Sequence, residues 1–173
     1  NSSKAVQSLA AGESRTDSFT VQVTDSKGAS ASQLVTMTVK GTNDAPVITH
    51  SSVSSEGESD DKSGKVSGKI SYIDVDHGDK HTANASLKPL VTSNGVPDFS
   101  ASLANAIQTK LNDEGDSGNG SMKWDFNLPA SFPKLASGQS VLATYQLSVS
   151  DNHGGTSGTQ DVNVLILGTG AVP

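Results

Sequence analysis

The stretch YIDVDHGDKHTA, Tyr72 to Ala83, sets three aspartates and two histidines within eight residues. Asp74, Asp76 and Asp79 flank a single glycine, Gly78, directly after a run of apolar residues. Carboxylates this close repel one another unless a cation or a set of donors neutralises them. Such a cluster serves acid–base catalysis, supplies oxygen ligands to a hard cation, or simply makes a solvated turn. An EF-hand loop is excluded. Counted from Asp74, the sixth position is Asp79 where that loop needs glycine, and the twelfth is Ala85 where it needs glutamate. A glycosidase pair needs a concave, aromatic-lined site besides its two acids, and Trp124 falls instead in a core-like alternation. The chain is therefore not expected to be an enzyme. His77 and His81 are four apart, a spacing that shares a face only on a helix, and Gly78 in a strand context argues against one. A zinc pair is not expected, and all four histidines read as exposed loop residues. On these residues alone, a solvated turn and a calcium site both stay open.

The elements that must position this cluster are lean. The chain has 173 residues, enough for one domain and part of another. It has no cysteine, which removes disulfides, thiol nucleophiles and thiolate metal sites. Its net charge of -6 argues against nucleic acid, which asks for a basic face. No apolar run approaches the length of a membrane span, so direct membrane insertion is not expected, and no signal-peptide pattern is seen. Val, Leu, Ile and Phe supply about a fifth of the residues, close to where disorder becomes the default. A folded chain of this make-up needs a thin core, as a β-sandwich has.

A long-period repeat organises the sequence. LAAGESRTDSFTVQVTDSKGAS (Leu9 to Ser30) aligns with LASGQSVLATYQLSVSDNHGGT (Leu135 to Thr156) at a shift of 126 residues. Leu9, Gly12, Phe19, Val23, Asp25 and Gly28 fall on Leu135, Gly138, Tyr145, Val149, Asp151 and Gly154. The next strands, QLVTMTVKGT and DVNVLILGT, follow with a one-residue slip. Residues 1–44 therefore read as the C-terminal part of one β-sandwich repeat plus a linker, and residues 45–173 as one complete module. Period-two alternation at Phe19/Val21/Val23, Val35/Met37/Val39, Val66/Ile70/Tyr72, Trp124/Phe126/Leu128, Tyr145/Leu147/Val149 and Val162/Val164/Ile166 predicts an antiparallel sandwich. Leu103, Ile107 and Leu111 recur at helical spacing, with Asp98 or Ser100 as a cap, and predict one short helix insert. The loop NDEGDSGNGS after it reads as solvated and mobile.

The linker GTNDAPVI (Gly41 to Ile48), the LAAGE…F…V…D run, the helix, Trp124 and DVDHGD together resemble the VCBS repeat, a cadherin-like, immunoglobulin-type module of giant bacterial adhesins of the RTX class. The resemblance spans nearly the whole chain. It implies an immunoglobulin/cadherin-like antiparallel β-sandwich and a tandem extender in an extracellular, cell-surface adhesin that supports adhesion or biofilm formation. It also implies export by a type I system, neighbouring repeats in the same chain as partners, a monomeric state, no catalytic residues and calcium at the junctions. In such a topology DVDHGD and the hairpin loop SDNHGG (Ser150 to Gly155) land at the linker end of the complete module, beside Asn43 and Asp44. The loop LAAGES of the preceding repeat abuts the same junction. The expected calcium ligands are Asp44, Asp74 and Asp76, joined by Asp79, Asp151, Asn43 and Glu13. At the other end Glu13 aligns with Gln139, and GTNDAP with GTGAVP (Gly168 to Pro173), so no comparable site is expected there. An alternative function is a sugar- or protein-binding adhesive module, with a host or surface glycan or protein as partner, built on the atypical region from Pro89 to Asn119.

Overall fold

Alternating apolar residues, interrupted by Gly, Asn, Asp and Ser, leave the chain little but short strands and turns. The computed structural model describes residues 2–53, 58–59, 65–113 and 117–170. After a short helix α1 (Ser2–Gln7), strands β1 (Ser14–Thr24) and β2 (Ser30–Lys40) form a two-stranded sheet of their own. The remaining strands are β3 (Val47–Val53), β4 (Glu58–Ser59), β5 (Lys65–Ile73), β6 (His81–Leu87), β7 (Val91–Thr92), β8 (Ile107–Asp113), β9 (Asn119–Asn127), β10 (Ser140–Asp151) and β11 (Gln160–Leu167). They form an all-β sandwich. One sheet runs β3-β5-β9-β8, and the other β4-β11-β10-β6 with β7 also paired to β10. This is the strand order of an immunoglobulin-type sandwich, with the A-B-E-D sheet facing the G-F-C sheet. One pairing departs from the antiparallel expectation: β4 runs parallel to β11, Leu165 opposite Glu58.

The core lies between these two sheets. Ile70, Met122, Trp124 and Phe126 come from one side, and Tyr145, Leu147, Val149 and Val164 from the other. Each residue sits at every second position of its strand, as the pleat requires. The Tyr145 hydroxyl donates to the Leu103 carbonyl oxygen at 2.7 Å, and burial pushes its phenol up to about 12.

The helix expectation needs correction. Of the stretch from Leu103 to Leu111 only the first residue is helical, at the end of α2 (Ser100–Leu103), and Ile107 and Leu111 belong to β8. A spacing of four suits both periods, and the buried or half-buried set Ile107, Thr109, Leu111 follows the strand period. Pairing with β9 over Ile107–Phe126 to Asp113–Gly120 decides it. Neither expected cap residue takes that place: the N-cap of α2 is Phe99 with no side-chain cap, although Asp98 Oδ1 accepts the Ser100 N–H at 2.9 Å just before it. The loop expected to be solvated is largely strand, since Gly120 and Ser121 are buried in β9, while residues 114–116 lie outside the described residues.

The β1–β2 hairpin reproduces β10–β11. Phe19 pairs Val35 as Tyr145 pairs Val162, and Arg15 pairs Val39 as Val141 pairs Ile166. The turns match as well. Asp25 Oδ1 accepts the N–H groups of Lys27 and Ala29, and Asp151 Oδ1 accepts those of His153 and Gly155. Gly28 and Gly154 take the positive φ, +87° and +97°, that closes each turn. The difference is cover. Tyr145, Leu147 and Val149 are fully buried, whereas Phe19, Val21 and Val23 are exposed. No second sheet packs on the hairpin among the described residues.

Candidate metal centre

Two connections build the site. The turn between β5 and β6 carries Asp74, Asp76 and Asp79, and the β10–β11 turn carries Asp151. β5 and β10 run toward the same end of the sandwich, so both turns emerge beside the linker that enters β3. One carboxylate oxygen from each of Asp74, Asp79 and Asp151 lies within 4.8 Å of the others. All three residues are buried. The turns are also tied directly, as the Lys80 N–H donates to Asn152 Oδ1 at 2.9 Å.

The acids are held by different partners. Asp74 Oδ1 accepts the Asp76 N–H at 2.9 Å, and its backbone N–H donates to the Gly118 carbonyl oxygen at 2.6 Å. Asp151 Oδ1 accepts backbone N–H groups from its own turn, and its Oδ2 accepts Asn43 Nδ2 at 3.0 Å. Burial would raise the Asp151 carboxyl, but the Asn43 amide and the turn N–H groups outweigh it and hold it below the usual range. Asp76 goes the other way. Burial pushes it up, the Asp44 N–H opposes this, and the charges of Asp74, Asp44 and Asp79 add to the rise.

Linker residues enter the site as hydrogen-bond partners. The Asp44 N–H donates to Asp76 Oδ2 at 2.6 Å, while the Asp44 residue itself is exposed. Gly155 is required by close approach. A Cβ there would collide with Asp151 Oδ2 and press on Ala45 and Asn43. At this site two buried acceptor oxygens, Asn43 Oδ1 and Asp76 Oδ1, have no partner among the described residues. Both accept and cannot donate when Asp76 is ionised, and a buried acceptor left unmatched is costly.

The structure thus brings together Asp74, Asp79 and Asp151, with Asp76, Asn43 and the Asp44 backbone bonded around them. Glu13 is different. Its Oε2 accepts the Ala10 N–H at 3.0 Å, closing its own turn as Gln139 Oε1 does with the Ala136 N–H at 2.9 Å. The exchange of glutamate for glutamine between the repeats therefore preserves a turn contact. The loop that holds Glu13 does reach the junction, where the Ser8 carbonyl oxygen accepts the His77 N–H at 3.2 Å. At the C-terminal end, residues 171–173 lie outside the described residues.

Of the four histidines expected in exposed loops, His50, His77 and His153 are exposed, although His50 lies in β3, whereas His81 departs from expectation. His81 is nearly buried, its Nε2 3.0 Å from Asp74 Oδ2 and its Nδ1 3.1 Å from Asp113 Oδ2. His153 Nδ1 lies 3.0 Å from Asp79 Oδ1. Burial lowers His81, but its two carboxylate partners more than compensate and raise it. The hydrogen bond to Asp79 raises His153. His153 could have been found in the sequence, because it stands inside SDNHGG. Asp113 is missed, because it stands in NDEGDSGNGS, which reads as a solvated loop, whereas it ends β8.

Chemically, the cluster of three buried aspartates can hold a metal ion. The donors are all oxygen and the charge is concentrated, which suits a hard cation. Searches against protein-family models, curated proteins and solved structures return no match for this chain.

Proposed function

We propose that this chain is a calcium-stiffened extender segment of a large bacterial cell-surface adhesin, working through its junction. The observation that carries the reading is the convergence of Asp74, Asp79 and Asp151 beside the orphaned oxygens of Asn43 and Asp76. Calcium binds oxygens at about 2.3–2.6 Å, so opposite ligands of one ion stand roughly 5 Å apart at most. The 4.8 Å span of the three carboxylate oxygens fits that limit. A cation would offset the burial and the neighbouring negative charges that raise Asp76, and give the unmatched acceptors a partner.

The mechanics follow from where the ligands sit. Asn43 and Asp44 belong to the linker, and their hydrogen bonds to Asp151 and Asp76 hold it against the complete module. An ion binding only this arrangement adds its binding free energy to the docked linker. The exposed β1–β2 hairpin supports the module boundaries. It is built like β10–β11 but has no facing sheet among the described residues, as expected for the tail of a preceding repeat. Its neighbours would be further repeats of one chain. The setting is extracellular, where modules of this kind bind calcium at about 0.1–1 mM. The family and the setting rest on the sequence resemblance.

The test is calcium removal. At a hundredfold excess over its dissociation constant, one ion stabilises by about 2.7 kcal/mol. Chelation should lower the melting temperature and increase proteolysis within residues 41–48, and magnesium should restore little because it demands tight octahedral geometry. Identical melting and cleavage with and without chelator would refute the reading.

A further inference from the structure

His81, the first residue of β6, bonds both the acidic turn and the end of β8 in the other sheet. We infer that His81 and Asp113 act as a positioning pair for the metal centre, an inference that rests on the calcium reading above. The His81 side chain is only 3% exposed, at the first residue of β6. Nε2 meets Asp74 Oδ2 at 3.0 Å and Nδ1 meets Asp113 Oδ2 at 3.1 Å, so the ring is held at both ends. Its face packs on Tyr72, with ring centroids 5.0 Å apart.

His81 reaches its two partners from the other sheet. β6 lies beside β10, whereas Asp113 ends β8 and Asp74 follows β5, two strands of the β3-β5-β9-β8 sheet. The Asp76 N–H fixes the other oxygen of Asp74. Each Asp74 oxygen therefore has one donor, and its remaining lone pairs are aimed by those contacts rather than by solvent. Groups that orient a ligating carboxylate from behind are worth about 10–100-fold in metal affinity. Among the described residues Asp113 makes no hydrogen bond to the clustered acids. Its effect runs through the imidazole, which makes it a positioning residue and not a ligand.

The experiment is a calorimetric calcium titration of the full chain and three variants: His81→Ala, Asp113→Asn and the double variant. Trp124 fluorescence checks that each variant is folded. We expect His81→Ala to weaken calcium binding by about 10–100-fold. Asp113→Asn should weaken it by a smaller factor, and should add nothing in the His81→Ala background, since a pair acting as a unit is non-additive. His81→Gln, which keeps a donor toward Asp74, should recover part of the affinity. A merely structural histidine would change the melting temperature and leave this coupling at zero. The inference is overturned if the unsubstituted chain binds calcium and both single variants bind within twofold of it, or if their effects simply add. If the unsubstituted chain binds no calcium, the calcium reading itself fails and takes this inference with it. A variant that does not fold is replaced by His81→Gln with Asp113→Asn, scored by the same additivity criterion.

Discussion

Val149 and Val23 occupy the same place in two register-matched hairpins, and the same substitution should have opposite consequences. Val149 is 0% exposed between the sheets, and Val23 is 70% exposed. Val→Ala removes two methylene equivalents, about 1.6 kcal/mol of transfer free energy at roughly 0.8 each. The cavity left between rigid sheets adds on the order of 1 kcal/mol. Val149→Ala should therefore cost about 2–3 kcal/mol, while an exposed substitution stays within about 0.5 kcal/mol. For a module of this size that corresponds to a melting shift on the order of 10 °C against almost none. Urea melts followed by Trp124, the single tryptophan, buried in the core of the complete module, measure both. Equal losses for Val149→Ala and Val23→Ala would show that the hairpin is packed in solution, and would refute the half-module reading of residues 1–44.

Three further outcomes are expected. Tyr145→Phe removes the hydrogen bond to the Leu103 carbonyl oxygen, which also accepts the Ala106 N–H. Since that oxygen keeps one partner, the cost should be near 1 kcal/mol by chemical denaturation, and a loss above about 3 kcal/mol would contradict the geometry. Gly155→Ala places a methyl group against Asp151 Oδ2, Asn43 and Ala45. It should weaken calcium binding at least about tenfold and speed cleavage at residues 41–48, with little change in the urea midpoint. Asp74→Asn/Asp76→Asn should abolish measurable calcium binding by calorimetry, and wild-type affinity in that double variant would remove both residues from the site.

The sandwich was legible because its alternation is regular where both sheets face the core. Val66, Ile70 and Tyr72 or Tyr145, Leu147 and Val149 each mark a buried face, and the matching burial follows. β8 was not legible, because Ile107 and Leu111 satisfy two periods and only pairing with β9 chooses between them. The edge strands β3 and β6 carry few apolar residues and gave no signal. At the site, the acids are readable from their clustering, and strand direction brings their turns together. What no pattern announces is which group each acid spends its oxygens on. Glu13 closes its own turn through one oxygen, which the repeat alignment does not show, and His81 looks like a loop residue until Asp74 and Asp113 are found on either side.

The linker contact between Asn43 and Asp151 joins residues 108 positions apart, and the turn contacts of Lys80 with Asn152 and His153 with Asp79 span 72 and 74. Contacts this distant are made only after the intervening strands have found their places, because loop closure must come first. The carboxylates are therefore assembled at the end of folding, when the β10–β11 hairpin closes the sandwich. A ligand that recognises only the finished cluster leaves the barrier to folding nearly untouched and deepens the well behind it. Its effect appears as a slower unfolding rate, and the protein's lifetime under load or protease is set by how tightly the last-formed contact is held.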